Sequence, residues 1–182
     1  MPNKYALFKL ATLSASASLL LACGGSPSST SLGSGTASGS VDGRPFDGVG
    51  ASYLIGQPDD VDRTLVIYVF DAPIDCADLA SPGWDQVVAD ATQSLEIKIV
   101  GKTPATYPIP QDGTPAEGEA DVNYTLTSTA GTPSEISAVS GSVALTDFTA
   151  DTSAAGSFDL TFPSGSLTGS FDGAWCPDGH EP

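Results

Sequence analysis

Short segments in which apolar and polar residues alternate are the feature that most restricts the fold of this chain. In residues 95–99, the apolar Leu95, Ile97 and Ile99 alternate with two charged residues. Because successive side chains of a strand point to opposite faces of the sheet, such a segment has one face in the core and one in water. The pattern predicts strands at residues 63–70, 95–99, 122–127 and 158–162, and near residues 39–46, 51–55, 105–109, 138–148 and 166–175.

About nine short strands in one domain favour an all-β fold in which two antiparallel sheets pack as a sandwich. A small barrel is the alternative. Turn signals separate the strands, and Pro163-Ser164-Gly165 predicts a hairpin between the last two. Residues 63–70 are apolar at both parities, which predicts a strand covered on both faces. Short helices are expected only at residues 75–80 and 84–91.

Gly-Ser followed by an apolar residue recurs along the chain, including motifs that begin at Gly39, Gly141, Gly156 and Gly169. Glycine inside a strand indicates a place where a neighbouring strand or an aromatic ring packs closely. We therefore expect close packing at these glycines. Chance is the alternative, because Gly and Ser are abundant in this chain.

The first 22 residues have the layout of a bacterial export signal that ends at a cysteine. Lys4 and Lys9 precede an apolar segment at residues 10–22, which suits a signal core and is too short to span a bilayer. Leu20 stands at position −3 from Cys23, where the ordinary signal peptidase requires a small residue. We predict that residues 1–22 are removed and that Cys23 becomes the first residue, carrying diacylglycerol and palmitate. A secreted protein with a chance cysteine is the alternative.

The segment after the predicted anchor has the composition of a flexible linker. Of the 17 residues at 24–40, 12 are Gly or Ser, and such a sequence buries too little apolar surface to order itself. The predicted organisation is therefore a signal peptide at residues 1–22, a lipidated cysteine with its linker at residues 23–40, and a β-sandwich domain at residues 41–182.

The charge of the chain excludes one class of partner. The mature chain would keep only Arg44, Arg63, Lys98 and Lys102 against 22 acidic residues, whereas binding of nucleic acid requires clustered Lys and Arg. The excess of negative charge favours a soluble monomer. The expected partners are the bilayer, through Cys23, and an envelope protein or polysaccharide.

Two cysteines remain after Cys23, and they allow one pairing. In an oxidising compartment, a disulfide between Cys76 and Cys176 is the expected state. It would close a loop of about 100 residues, for which the chain-entropy model gives about 4–5 kcal/mol of stabilisation. Trp175 stands next to Cys176 and is similar to the large aromatic residue that sandwich domains pack near their disulfide. A redox or nucleophilic thiol is the alternative.

Two groups of acidic residues are candidate calcium sites, because hard cations bind several carboxylate and carbonyl oxygens. The groups are Asp59, Asp60 and Asp62 in one turn, and Asp112, Glu117, Glu119 and Asp121 in another. Neither group fits an EF-hand loop. Solvated acidic turns at the edge of the sheet are the alternative.

Trp84 is a candidate ligand contact on a predicted loop. An exposed tryptophan can stack on a sugar ring or anchor a protein partner. The alternative is a side chain that folds back to plug the open end of the sandwich.

The sequence carries no familiar catalytic motif. His180 is the only histidine and lies in the last three residues, and neither a Gly-x-Ser-x-Gly elbow nor a Gly-x-x-x-x-Gly-Lys phosphate loop occurs. We expect a non-catalytic protein with no cofactor other than the calcium considered above. A small hydrolase that acts on polysaccharide or cell-wall material through a pair of carboxylates is the alternative.

Several segments together carry a resemblance to a known group of proteins. They are Cys23 with its Gly/Ser linker, the opening Gly39-Ser40-Val41-Asp42-Gly43-Arg44-Pro45-Phe46, the strand that leads into Cys76, and the ending from Gly156-Ser157-Phe158-Asp159 through Gly169-Ser170-Phe171-Asp172 to Cys176. In these segments the chain resembles bacterial outer-membrane lipoproteins of uncharacterised function with a small all-β domain. The resemblance implies a lipid-anchored β domain and, from Gly24 after the lipidated cysteine, sorting to the outer membrane. It implies no substrate and no catalytic residue.

Overall fold

Strands make up nearly all of the regular structure. The computed structural model describes residues 33–46, 48–50, 52–55, 64–79, 93–111, 114–127 and 133–177. In chain order the elements are β1 (Ser34–Val41), β2 (Arg44–Pro45), β3 (Gly48–Gly50), β4 (Ser52–Ile55), β5 (Thr64–Phe70), α1 (Cys76–Leu79), β6 (Gln93–Val100), β7 (Ala105–Pro108), β8 (Ala120–Thr127), β9 (Pro133–Ser137), β10 (Ser140–Thr149), β11 (Ser153–Phe162) and β12 (Gly165–Cys176). The helix predicted at residues 75–80 is present as α1. The one predicted at residues 84–91 lies outside the described residues.

Two sheets form a sandwich, which confirms the predicted fold class. Sheet one has the order β7-β10-β11-β12-β1, with β2 and β3 paired to β1, and sheet two has the order β4-β5-β6-β8-β9. β12 joins the sheets, because residues 165–172 pair with β1 and residues 174–176 pair with β4. The β12–β4 pairing is parallel, whereas the other pairings of described strands are antiparallel. The described strands do not close into the alternative small barrel.

β5 is buried on both faces, which confirms the prediction from its unbroken apolar sequence. Its inward residues belong to a large core between the sheets, which includes Leu65, Ile67, Val69, Leu95, Ile97, Ile99, Val122, Tyr124, Phe158, Leu160, Phe162 and Phe171. Its outward residues belong to a small core on the outside of sheet two, formed by Val66, Tyr68, Phe70, Ile74, Leu79 and Cys176. Sheet two therefore lies between two apolar layers at β5.

Two tight turns close one end of sheet one. Asp42 and Gly43 have φ angles of 50° and 71°, and a two-residue type I′ hairpin requires such positive angles at both positions. The predicted hairpin between β11 and β12 is confirmed, with Phe162 paired to Gly165. The Asp42 amide donates a hydrogen bond of 2.7 Å to the Ser164 carbonyl, which ties the two turns together.

The prediction that residues 34–40 belong to a linker is wrong. These residues form β1, which pairs with β12 from Ser34–Asp172 to Val41–Gly165. The small side chains of β1 permit a close approach, since a Cβ atom on Gly39 would lie only 2.1 Å from the Ser166 carbonyl oxygen. Pairing with a matching neighbour, rather than intrinsic strand propensity, orders this Gly/Ser-rich segment.

Two of the Gly-Ser motifs place their glycine under a phenylalanine ring. In the β11–β12 register, Gly156 faces Phe171, and Phe158 faces Gly169. A Cβ atom on either glycine would lie 2.5 Å from the Cζ atom of the facing ring. This reciprocal covering of glycine by an aromatic ring confirms the expected close packing.

β9 is a strand that the alternation does not predict. Its first residue, Pro133, belongs to a Gly-Thr-Pro sequence that is typical of a turn. Proline is tolerated at this position because it opens the strand, and β9 ends the hydrogen-bonded order of sheet two.

Candidate functional site

Several predicted site residues lie outside the described part of the chain. They are Cys23, Asp59, Asp60, Asp62, Trp84 and Asp112. The lipid anchor, the first calcium site and the ligand contact at the tryptophan therefore stay predictions.

The described members of the second calcium group have separate contacts. Glu119 accepts a hydrogen bond of 2.9 Å from the Ala116 amide through Oε2, and its own amide donates to the Ala116 carbonyl at 3.0 Å. Asp121 accepts a 3.4 Å hydrogen bond from the side-chain amide of Asn123. Within the described ranges, no three His, Cys, Asp or Glu side chains group closely enough to hold a metal ion. Glu119 stabilises the turn before β8, and calcium binding stays a prediction.

The predicted disulfide between Cys76 and Cys176 is present. Their Cα atoms are 5.6 Å apart, within the usual range for a disulfide. Cys176 is fully buried in the small core, and Cys76 packs against that core. Trp175 packs against the large core instead. Trp175 and Cys176 therefore contribute to different cores, because adjacent strand residues point to opposite faces.

A row of four polar side chains crosses the outer face of sheet two. Tyr68 pairs with Glu96, Glu96 with Asn123, and Asn123 with Ser137, so the row runs in register from β5 to β9. The Tyr68 hydroxyl donates a hydrogen bond to Glu96 Oε2, and the Ser137 hydroxyl donates to Asn123 Oδ1 at 2.8 Å. We call these four residues the polar row.

Lys98 lies beside the polar row on β6. Its Nζ atom is 2.7 Å from Glu96 Oε1, and its register partner on β8 is Asp121. The Lys98 side chain is 30% exposed and that of Glu96 is 16% exposed. Lys98 thus presents an ammonium group beside the Glu96 carboxylate and opposite Asp121, near the Asn123 amide and the Ser137 hydroxyl. We call Glu96, Lys98, Asp121, Asn123 and Ser137 the polar strip. Such neighbouring donors and acceptors are suited to neutral polar partners, such as sugar hydroxyls or peptide amides.

A second polar group lies at the end of the sandwich that carries the tight turns. The buried Tyr124 donates its hydroxyl proton to Gln93 Oε1 at 2.7 Å, and Gln93 Nε2 donates to the Pro45 carbonyl at 3.0 Å. These bonds connect β8, β6 and β2, and therefore join the two sheets. A buried tyrosine usually finds a hydrogen-bond partner, so the inward position of Tyr124 in its alternating segment was the signal for this contact.

Burial keeps the Tyr124 hydroxyl protonated. Loss of solvation raises the pKa of Tyr124 above 10.0, nearby Arg44 opposes the shift, and Asp71 and Asp42 add to it. Two carboxylates and a guanidinium therefore lie near enough to this hydroxyl to act on it. The hydroxyl serves as a hydrogen-bond donor at neutral pH.

Comparisons of the chain with protein-family models, with curated proteins and with solved structures found no match. In the part of the chain that the structure describes, no helix is long and apolar enough to cross a membrane. The interpretation of the site therefore depends on its geometry and chemistry alone.

Proposed function

We propose that this protein is a lipid-anchored protein of the bacterial outer membrane, in which Cys23 holds the lipid and the sandwich is a non-catalytic binding or structural module. The observation that carries the proposal is the Cys76–Cys176 disulfide in a chain whose first 23 residues have the layout of a lipoprotein signal. Disulfides persist in exported proteins and are rare in the reducing cytosol. Two independent parts of the chain thus support export.

The start of β1 brings the sandwich close to the proposed anchor. Because β1 begins at Ser34, only residues 24–33 separate the lipidated residue from the first strand. Ten residues span at most about 33–36 Å, which is similar to the width of a domain of this size. A partner of the sandwich would therefore lie at or near the membrane surface.

The polar row supports recognition rather than catalysis. Glu96 bonds Tyr68 through one carboxylate oxygen and Lys98 through the other. A general acid or base must exchange a proton with its substrate, whereas this carboxylate is engaged at both oxygens. The strip of Glu96, Lys98, Asp121, Asn123 and Ser137 is suited to hold a neutral envelope polysaccharide or a protein surface.

Lipidation is tested by measuring the intact mass of the protein purified from bacterial membranes. We expect a mature species that starts at Cys23 and carries acyl mass. A Cys23→Ser variant should lack this mass and keep residues 1–22, because the ordinary signal peptidase requires a small residue where Leu20 stands. A wild-type mature protein without acyl mass would refute the anchor.

Partner binding is tested with a photo-crosslinking residue at position 137 in β9. The matched control is the same residue at position 168 in β12, since Ser137 and Thr168 are both exposed strand residues on opposite sheets. We expect envelope adducts from position 137 and not from position 168. Equal labelling from both positions, or release of sugar fragments from cell-wall material by the purified protein, would contradict the proposal.

A further inference from the structure

The outer face of β5 is covered by a short segment that has little regular structure of its own. Residues 71–79, here called the cover segment, contribute Ile74 and Leu79 to the small core, where they lie over Val66, Tyr68 and Phe70. α1, the only helix in the described chain, has four residues. A single helical turn does not persist alone, because nucleation fixes several residues for one hydrogen bond. Other contacts must therefore hold the cover segment in place.

The disulfide is the covalent contact that does this. Cys76 begins α1, and Cys176 ends β12. β12 is fixed independently, because it pairs with β11, β1 and β4. The disulfide therefore fastens a weakly structured segment to a firmly structured strand. The large core lies on the opposite face of sheet two and does not include the cover segment.

The two cysteines of the disulfide differ in their burial. Cys176 has 0% exposure, whereas Cys76 is only partly buried. A thiolate reductant must reach the sulfur that it attacks, so we expect attack at the less buried residue, Cys76.

We propose that the Cys76–Cys176 disulfide is a redox-sensitive latch, whose reduction by a dithiol releases the cover segment from β5 while the sandwich stays folded. The first reductant thiolate forms a mixed disulfide with Cys76, and Cys176 leaves and takes up a proton. The second reductant thiol attacks this mixed disulfide, and Cys76 leaves as a thiol. The reductant becomes a disulfide, and the protein gains two electrons and two protons.

Release of the cover segment would uncover an apolar strip. Tyr68 and Phe70 stack with ring centroids 5.8 Å apart and planes inclined by 10°, and each is at most 3% exposed in the latched state. Aromatic side chains bury about 150–250 Å² each. Opening therefore exposes these two aromatic side chains on the outer face of β5.

The test is hydrogen–deuterium exchange of the full mature protein in detergent, before and after treatment with dithiothreitol, with free thiols counted in the same samples. We expect exchange at residues 71–79 to rise by about tenfold or more after reduction, and exchange at residues 154–171 to stay unchanged. A rise across both regions would show global unfolding and overturn the proposal. So would no rise after two thiols are counted, or a disulfide that is reduced only when the protein is unfolded.

Two variants extend the test, and the first needs no reductant. The Cys76→Ser/Cys176→Ser protein should fold and show the open pattern without dithiothreitol, and its failure to fold would overturn the proposal. Leu79→Ala keeps the disulfide and removes a buried side chain of the cover segment. It should respond to dithiothreitol at a lower concentration than the wild type, and an unchanged response would also count against the latch.

Discussion

β5 and β1 lie in opposite sheets of the sandwich and are built in opposite ways. β5 consists of large apolar residues and is buried on both faces. β1 consists mainly of Gly, Ser, Ala and Thr, and it fits its neighbour because its backbone approaches β12 closely. Both strands nevertheless contribute to the large core, through Ile67 of β5 and through Ala37 and Val41 of β1.

Two opposite kinds of packing error are therefore costly in this fold. In β5 the stabilising quantity is the apolar volume of the side chains, so removing atoms leaves a cavity. In β1 it is the small size of the side chains, so adding atoms forces the sheet apart. Mutations of opposite kind should therefore destabilise the two strands.

Truncation of a core side chain in β5 should lower the free energy of unfolding the most. Ile67 has 0% exposure at the centre of the large core, and Ile67→Ala removes buried methylene and methyl groups and leaves a cavity. We expect the free energy of unfolding to fall by about 4 kcal/mol, measured by urea denaturation. Val139→Ala is the control, because Val139 is 47% exposed, and it should change stability by less than about 0.5 kcal/mol. Equal effects of the two changes would show that Ile67 does not lie in the core.

Enlargement in β1 should be the next largest effect. Gly39 has a φ angle of 130°, and an added Cβ atom would lie 2.1 Å from the backbone oxygen of Ser166. We expect Gly39→Ala to cost about 3 kcal/mol, from conformational strain and overpacking together.

Gly43 provides the matched control for this prediction. Its φ angle is 71°, but an added Cβ atom would meet nothing within 4 Å. Gly43→Ala should therefore cost only the strain, about 1 kcal/mol. If urea denaturation gives the same loss for Gly39→Ala and Gly43→Ala, β1 does not pair closely with β12.

The same contrast explains which parts of the fold the sequence could predict. β5 is predictable because its apolar residues occupy both parities of the strand. The turn at Pro163-Ser164 is predictable because its residues favour tight turns. β1 looks like a linker, since composition reports propensity and not the presence of a matching neighbour. The sequence does not predict the parallel pairing of β12 with β4 either, because that pairing depends on which distant strands the fold brings together.

The candidate site was less accessible to sequence reasoning than the fold. The disulfide followed from cysteine count and export. The polar row did not, because Glu96 and Asn123 are 27 positions apart and meet only through the β6–β8 register. Alternation assigns each residue to a face, but it does not say which strands are neighbours. Tyr124 illustrates the limit, since its inward position is predictable and its partner Gln93 is not.

Tyr124 lies between the two sheets and contacts residues of both. It packs edge-on against Phe46 and Phe162, with centroids 6.2 Å and 6.1 Å away. Tyr124→Phe keeps the ring and removes the hydrogen bond to Gln93, so we expect a loss of about 1 kcal/mol at neutral pH.

The pH dependence of the same variant tests the burial of the hydroxyl. Because burial raises the pKa of Tyr124 above 10.0, the unfolded chain releases this proton at a lower pH than the folded protein. The stabilisation is complete below pH 10 and is lost as pH rises through the folded pKa. The melting temperature, measured from pH 9 upward, should therefore fall more steeply above pH 10 for the wild type than for Tyr124→Phe. Parallel curves would mean that the hydroxyl is not buried.

The smallest effect should come from Lys98, which lies beside β5 on the outer face of sheet two. Lys98→Met removes the ion pair with Glu96 and keeps much of the apolar stem. Partly exposed pairs of this kind contribute less than about 1 kcal/mol, and the difference should shrink further in 1 M salt because of screening. Urea denaturation at low and high salt measures both quantities. A loss of 2 kcal/mol or more would show that the ion pair stabilises the fold on the same scale as the packing of β5. A small loss would show that Lys98 contributes little to stability. Its position as the only described ammonium group on the polar strip would then favour a role in recognition.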